Sequence, residues 1–234
     1  MKRLCTIIAL LLSVAAHGQM TNLTDFDHDL MHYGIQVGYT QSKFDVGFSD
    51  DESLHQLMQG VNSYYSAGFH IAVIADLALC PYVSLRSAPG LTLINRSLHY
   101  YWEEGYLASY PALDKKRSVE SVYGEIPLDL KFRAMRWRNF QPYLTGGCSY
   151  GFDFASLRNN KNNNDESIVR LNTSDFRYTT GIGFDFFLHY VKFAIELKMS
   201  FGTSNLVIPD DDLYSRSTNK LNSRTFMLGF TFEG

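Results

Sequence analysis

Residues 191–202 read Val191-Lys192-Phe193-Ala194-Ile195-Glu196-Leu197-Lys198-Met199-Ser200-Phe201-Gly202. Every odd position carries a large apolar side chain, and every even position carries a small, polar or charged one. Because successive side chains of a β-strand point to opposite faces, this segment forms a ribbon with one apolar face and one ionic face. A soluble sandwich would bury the apolar face in its core, whereas a membrane barrel would turn that face to lipid and enclose the ionic one.

Seven other segments repeat the alternation, and no segment shows a helical period. The pattern predicts strands at about 32–46, 66–79, 83–98, 119–133, 140–153, 174–187, 191–202 and 222–233. Pro127 cannot donate a hydrogen bond within a sheet, so we expect a bulge or a local kink at that position.

The connections between these strands alternate from long to short without exception. This asymmetry predicts an all-β fold, an eight-stranded antiparallel transmembrane up-and-down β-barrel with four long extracellular loops and short periplasmic turns. Both termini would then be periplasmic. Soluble eight-stranded barrels such as lipocalins differ because their apolar faces point inward around a ligand cavity.

The first residues predict a secretory signal peptide over 1–18. Lys2 and Arg3 precede an apolar run, Leu4–Val14, and the small residues Ala16 and Gly18 fit a cleavage after Gly18. The run is too short to cross a bilayer as a helix, which needs about 20 residues. A buried N-terminal helix is the alternative interpretation.

The mature chain is predicted to have two parts, a polar periplasmic N-terminal segment at 19–31 and an outer-membrane β-barrel at 32–234. Loss of Lys2 and Arg3 changes the formal net charge from −3 to −5, and no basic run with interleaved aromatic residues is present, which argues against a nucleic-acid partner. The predicted location is the outer membrane of a Gram-negative bacterium, with outer-membrane lipid around the wall.

The cysteines are interpreted as structural. Cys5 leaves with the signal peptide, while Cys80 lies in a turn and Cys148 in the middle of a strand, without metal-ligand spacing. A disulfide between Cys80 and Cys148 is compatible with an oxidising compartment, but the strand order does not make them neighbours.

The ionic faces predict a cluster of charged side chains inside the barrel. Its members are Asp76, Arg86, Glu125, Asp129, Lys131, Arg133, Asp185, Lys192, Glu196 and Lys198. An eight-stranded barrel is just wide enough for side chains to fill, and the two signs nearly balance, so we interpret the cluster as a salt-bridged structural plug. A proton or ion relay is the functional alternative.

Two groups of residues are candidates for catalysis, and one run of residues is a candidate for metal binding. His55 with Asp51 and Ser53, or His99 with Ser97, could serve a lipid-modifying enzyme at the outer rim, but neither group has a distinctive spacing. Asp210-Asp211-Asp212 could bind calcium, but a run of solvated loop charges is the preferred interpretation. We therefore expect no catalytic residue, no metal, no cofactor and no small-molecule substrate. The aromatic groups Tyr64-Tyr65 and Tyr100-Tyr101-Trp102 suit an interfacial girdle.

The end of the chain carries a second pattern of outer-membrane barrels. Phe226, Leu228, Phe230 and Phe232 alternate along the last strand and resemble the terminal signal by which assembly machinery recognises such barrels. The chain departs from the usual form because Glu233 and Gly234 follow the last phenylalanine.

One run of residues resembles a motif of a known protein family. Tyr123-Gly124-Glu125-Ile126-Pro127-Leu128-Asp129-Leu130-Lys131-Phe132 resembles the fourth-strand motif of the PorT-like outer-membrane barrels of Bacteroidetes, and Pro142–Gly147 and Glu196–Lys198 are similar to that family's later strands. The similarity covers essentially the whole mature chain. The Glu-Ile-Pro-Leu element is shared by many Bacteroidetes barrels of unrelated role.

The resemblance implies a non-enzymatic component of type IX secretion. That system exports cargo with C-terminal sorting domains, such as surface proteases, so the implied partners are its other components. The family has no established catalytic residues. Two alternatives stay open, a general structural or surface-binding barrel of the OmpA-like kind and a lipid-modifying outer-membrane enzyme.

Overall fold

The chain folds as a β-barrel. The computed structural model describes residues 21–24, 26, 29–48, 58–102, 116–154, 172–206 and 218–234. The strands are β1 (Met31–Phe48), β2 (Met58–Tyr64), β3 (Ser66–Cys80), β4 (Val83–Ser87), β5 (Gly90–Trp102), β6 (Lys116–Arg133), β7 (Phe140–Asp153), β8 (Ser174–Phe187), β9 (Lys192–Gly202) and β10 (Thr218–Glu233). Across these ranges, the helical residues form no segment long and apolar enough to cross a membrane.

The ten segments make eight barrel strands. Tyr65 alone separates β2 from β3, and Ala88-Pro89 separates β4 from β5, so each pair acts as one interrupted strand. All neighbours are antiparallel, and the sheet closes because β1 pairs with β10 on one side and with β3 on the other. The prediction of a closed eight-stranded antiparallel barrel is confirmed.

The wall has its apolar face outside. On β9, Phe193 and Ile195 are half-buried and Leu197 is exposed, whereas Lys192 and Glu196 are 2% and 1% exposed. The same alternation runs round the barrel, for example with Ile71 and Val73 outside and Ala72 inside on β3. The faces therefore have the orientation of a membrane barrel rather than of a soluble one.

The two ends of the barrel differ. The short connections at 81–82, 134–139 and 188–191 lie at one end, here called the turn end. Both ends of the barrel sequence are there too, since the Gly234 amide donates to the Tyr33 carbonyl oxygen at 3.0 Å. The opposite end, here called the loop end, is where strands lead into the four long connections.

Several strands extend further towards the loop end than predicted. β2 lies in the connection predicted between the strands at 32–46 and 66–79, and β5 continues to Trp102, so Tyr100–Trp102 belong to a strand. These extensions lack a continuous apolar face. The alternation that predicted the other strands is therefore absent from them.

Of the two alternatives predicted at Pro127, a bulge or a local kink, the bulge is wrong. β6 passes through Pro127 with no register shift against β7, where Pro127 lies opposite Ser149. The interruption falls instead on the neighbouring strand, at Ala88-Pro89. There the Ser87 hydroxyl donates to the Pro127 carbonyl oxygen at 2.9 Å, which supplies a polar contact where two prolines remove backbone donors.

Candidate functional site

Arg86 is the centre of a charge network in the turn half of the lumen. Its side chain is 3% exposed, and Nη2 lies 3.0 Å from Asp76 Oδ2 and 2.7 Å from Glu233 Oε1. Nη1 lies 3.2 Å from Glu196 Oε2. These carboxylates come from β3, β9 and β10, so one guanidinium connects strands on opposite sides of the lumen. A planar guanidinium with five donors suits this arrangement better than an ammonium group.

Three buried lysines complete the turn-half network. Lys192 pairs with the second oxygen of Glu233, and Lys198 pairs with Asp129. Lys131 Nζ lies 2.7 Å from Asp185 Oδ2, and both side chains are fully buried. Charges this deep are tolerated only when they are paired, which is what the geometry provides.

Tyr143 organises the middle of this network. Its hydroxyl donates to Glu196 Oε2 at 2.8 Å, and the Lys131 ammonium lies 3.8 Å from the ring centroid. The ring lies over Gly183, its cross-strand partner on β8, where a Cβ atom would come within 2.2 Å of the ring. The absence of a side chain at Gly183 is therefore what allows Tyr143 to lie in the lumen.

We expect Gly183→Val to destabilise the barrel by about 1–3 kcal/mol, because a larger side chain in a filled interior forces its neighbours out of place. Urea unfolding in lipid vesicles measures the change. Gly146→Val is the matched control: Gly146 lies on the outer face of β7, and a Cβ atom added there would have its nearest neighbour 4.0 Å away. Equal destabilisation by both substitutions would contradict the packing role of Gly183.

The loop half of the lumen contains a second, smaller group. Arg177 Nη2 lies 2.9 Å from Glu125 Oε2, and His70 Nδ1 shares a hydrogen bond of 2.8 Å with the Thr92 hydroxyl. A cavity of about 20 Å³ beside them is lined by polar side chains that include Ser149. That volume accommodates about one water molecule. Over the described residues, the lumen is thus filled by side chains.

The N-terminal segment closes the turn end. Phe26 stacks on His32 with ring centroids 3.7 Å apart, and the Lys192 ammonium lies 4.5 Å from the Phe26 ring centroid. Asn22 is fixed to the wall because its backbone N–H donates to Asn139 Oδ1, with 2.8 Å between the two atoms. The Arg136 guanidinium donates to the carbonyl oxygens of this segment and covers the neighbouring Phe187 ring. The described part of 19–31 is therefore packed against the barrel and is not a free tail.

The structure brings most of the predicted charged residues together. Asp76, Arg86, Asp129, Lys131, Asp185, Lys192, Glu196 and Lys198 lie in the turn half and are connected as described above. Glu125 lies nearer the loops with Arg177. Arg133 does not join the network: it is half-buried at the rim, and its Nη2 donates to the Cys80 carbonyl oxygen at 3.2 Å.

Sequence reasoning missed three residues of the network: Glu233, Tyr143 and Thr179. Glu233 had a usable signal, because Phe232 faces outward and the next residue on a strand must face inward. Its position after the terminal aromatic pattern hid that signal. Tyr143 had no clear signal, since a tyrosine fits either face of the wall. Thr179, whose hydroxyl donates to Asp129, was missed for the same reason.

The structure provides no side-chain geometry for the residues considered for catalysis and calcium binding. His55, Asp51, Ser53 and Asp210–Asp212 lie outside the described residues, and the side chains of Ser97 and His99 also lie outside them. Where side chains are described, no three of His, Cys, Asp and Glu are grouped as metal ligands. Cys80 is exposed and Cys148 half-buried, and both are free thiols.

The chain is similar to one known family and to several solved barrels. The outer membrane protein beta-barrel domain family matches residues 21–207, and no curated protein matches. Among solved structures, OprG from Pseudomonas aeruginosa is similar, with a TM-score of 0.49 and 16% identity over 92% of this chain and 99% of its own. Ail of Yersinia pestis has a TM-score of 0.40 and 13% identity over 88% and 100%. Neisserial surface protein A has a TM-score of 0.45 and 12% identity over 86% and 95%.

The family match covers well over half of the 234 residues, and the fold and the direction of the apolar face agree with it. Such a wall belongs in a bilayer, with lipid against its outer face. The chain therefore belongs to the outer membrane protein β-barrel domain family.

Proposed function

We propose that this protein is a non-enzymatic accessory component of type IX secretion, needed for export or maturation of cargo with sorting domains. The resemblance of Tyr123–Phe132 to the PorT-like fourth strand supports this role. The Glu-Ile-Pro-Leu element within that run occurs in barrels of unrelated role, so the support comes from the run as a whole. The barrel fold alone is compatible with many roles.

The observation that shapes the proposal is the filled lumen. Arg86, Tyr143 and Lys131 occupy the centre of the turn half, and the cavity in the loop half holds about one water molecule. Folded cargo cannot pass through such an interior. The protein would therefore act through its loops, its turn-end rim or its outer wall against a larger translocon.

The turn end offers a surface for this purpose. A groove of about 350 Å³ lies there between the N-terminal segment and two turns, and Leu30, Tyr82 and Arg136 are among its lining residues. Leu30, Tyr82 and Met135, which also lines the groove, are exposed. The two arginines of the lining are Arg133 and Arg136. We propose that the turn end is periplasmic and the loop end extracellular, which would direct this groove towards periplasmic secretion components.

We also propose that the lumen network is a structural plug. Each member of the turn-half network has a partner of opposite sign within the protein, and Arg133 at the rim stands outside that network. A relay would need a group able to change its partner, whereas a plug needs only ion pairs that join different strands, as those of Arg86 and Lys131 do.

Deletion of the gene followed by localisation of sorting-domain cargo tests the secretion role. The expected result is loss of surface proteases from the cell surface and accumulation of their unprocessed forms inside the cell. Re-expression of the chain should restore export, and an unrelated eight-stranded barrel at the same level should not. Normal surface display in the deletion strain would overturn the proposal.

A general structural or surface-binding barrel is the second candidate, favoured by the family assignment, which specifies the barrel without a task. Pull-down from native membranes in mild detergent separates the two. Only the secretion role predicts that other secretion components are recovered with the chain.

A further inference from the structure

Two cations lie side by side on the outer wall near the loop end. Lys43 on β1 is the direct cross-strand partner of Arg224 on β10, and both side chains face away from the lumen. Cβ atoms of directly opposed residues are about 5 Å apart, and like charges placed this way destabilise a sheet. An anion between the two side chains would remove that cost.

The charge around the pair is only partly compensated. Arg224 Nη2 lies 2.8 Å from Asp45 Oδ2, and both side chains are substantially exposed, at 38% and 54%. In the part of the chain that the structure describes, Lys43 has no carboxylate partner, and its ammonium lies 5.0 Å from the Tyr65 ring centroid. The three charged groups together carry one net positive charge.

Aromatic rings flank the pair on both sides. The Arg224 guanidinium lies 5.6 Å from the ring centroid of Phe201, its partner on β9, so the row reads Tyr65, Lys43, Arg224, Phe201 across the wall. Towards the turn end, the next outward residues of β10 are Phe226 and Leu228, which begin the apolar surface. The pair thus stands at the boundary between apolar and polar wall.

The height of the pair fits the level of lipid headgroups. Ten residue steps separate Tyr33 at the turn end from Lys43 on β1. At about 3.3 Å per residue and a strand tilt of about 40°, they correspond to about 25 Å along the barrel axis. The apolar band of outer-membrane barrels is also about 25 Å tall. A lipid whose chains cover the wall would therefore place its headgroup beside Lys43 and Arg224.

The described outward residues across the lumen differ from the pair. At the loop end they include Phe152, Phe154 and Phe176, which are aromatic and uncharged. Among the side chains that the structure describes there, the two neighbouring cations lie on the β1–β10 side of the barrel.

We propose that Lys43 and Arg224 bind a phosphate group of lipid A in the outer leaflet. A phosphate accepts charge-assisted hydrogen bonds from both cations, and the neighbouring apolar wall contacts the acyl chains of the same molecule. This inference rests on the proposed orientation, in which the loop end is extracellular. A free phosphate ion would use the cations alone and would gain nothing from the wall.

The test measures binding of lipid A to the purified full-length barrel in mild detergent, by native mass spectrometry. The variants are Lys43→Gln and Arg224→Gln, with Arg138→Gln as the matched control, because Arg138 is an exposed arginine at the turn end. Unboiled gel mobility verifies folding of each variant. We expect each of the first two variants to bind lipid A about tenfold more weakly, the size of one lost charge-assisted contact, and the control to bind normally.

The arms of the experiment separate the sources of phosphate. Dephosphorylated lipid A should bind the wild type more weakly than intact lipid A binds either variant, because it loses both contacts, and inorganic phosphate should not compete. Unchanged binding in both variants, or equal binding of phosphatidylglycerol and lipid A to the wild type, would overturn the proposal. Because binding is measured on purified protein, a negative result is distinguishable from failure of the secretion role, which is measured by cargo export in cells.

Discussion

Replacing Arg86 by methionine is expected to destabilise the barrel by about 3–5 kcal/mol, the usual cost of removing one partner from a buried ionic cluster. The substitution leaves Asp76, Glu196 and Glu233 close together without the cation that lies within 3.2 Å of each of them. Lys192 and Lys198 would compensate only part of that charge, since each already serves another contact.

Equilibrium urea unfolding in lipid vesicles, followed by the fluorescence of the two tryptophans, measures this loss. Arg133→Met is the control, because Arg133 is half-buried at the rim and its described hydrogen bond goes to a backbone carbonyl. We expect it to cost less than about 1 kcal/mol. Arg86→Lys should fall between the two, since an ammonium keeps the charge but cannot reach three carboxylates in one plane. Similar costs for Arg86→Met and Arg133→Met would mean that Arg86 is not the centre of the network.

The second large effect concerns Lys131 and Asp185, which are fully buried and 2.7 Å apart. Lys131→Met alone should cost about 3–5 kcal/mol, because it leaves the Asp185 carboxylate without its described cation. Adding Asp185→Asn should restore most of the lost stability, since both charges are then gone and the volumes are nearly kept. The same unfolding experiment measures both variants.

This pair of variants also separates the two interpretations of the lumen. A structural plug predicts that cells carrying Lys131→Met with Asp185→Asn export cargo normally once the barrel is stable again. A proton or ion relay predicts a loss of export that persists in the stable double variant. A stable but inactive double variant would therefore contradict the structural role and favour the relay.

The alternation of side chains predicted the wall and the direction of most side chains because its period is set by backbone geometry alone. Lys192 and Glu196 could be placed inside the barrel from the stretch at 191–202. The strand ends could not be predicted equally well. β2 and the last residues of β5 lack an apolar face, so the order of their side chains does not predict a strand.

The alternation of side chains could not predict which residues contact each other inside the lumen, for a different reason. Arg86 and Glu233 are 147 positions apart, and their contact depends on the stagger with which the sheet closes. The two-residue alternation predicts which face of the wall a residue occupies. It does not predict which residue lies across the lumen at the same height. The position of Tyr143 similarly depends on Gly183, whose role appears only when β7 and β8 are placed side by side.

The position of Glu233 on β10 has a consequence for biogenesis. Its carboxylate neutralises Arg86 and Lys192, which belong to strands translated earlier. Until β10 is added between β9 and β1, Lys192 lacks its described carboxylate partner and Arg86 has two carboxylates instead of three. A partially inserted chain is therefore penalised twice, by an open seam and by the missing ion pairs. The assembly step that seals the seam also removes the electrostatic penalty. Chains stalled before that step should be the ones most readily destroyed by quality-control proteases.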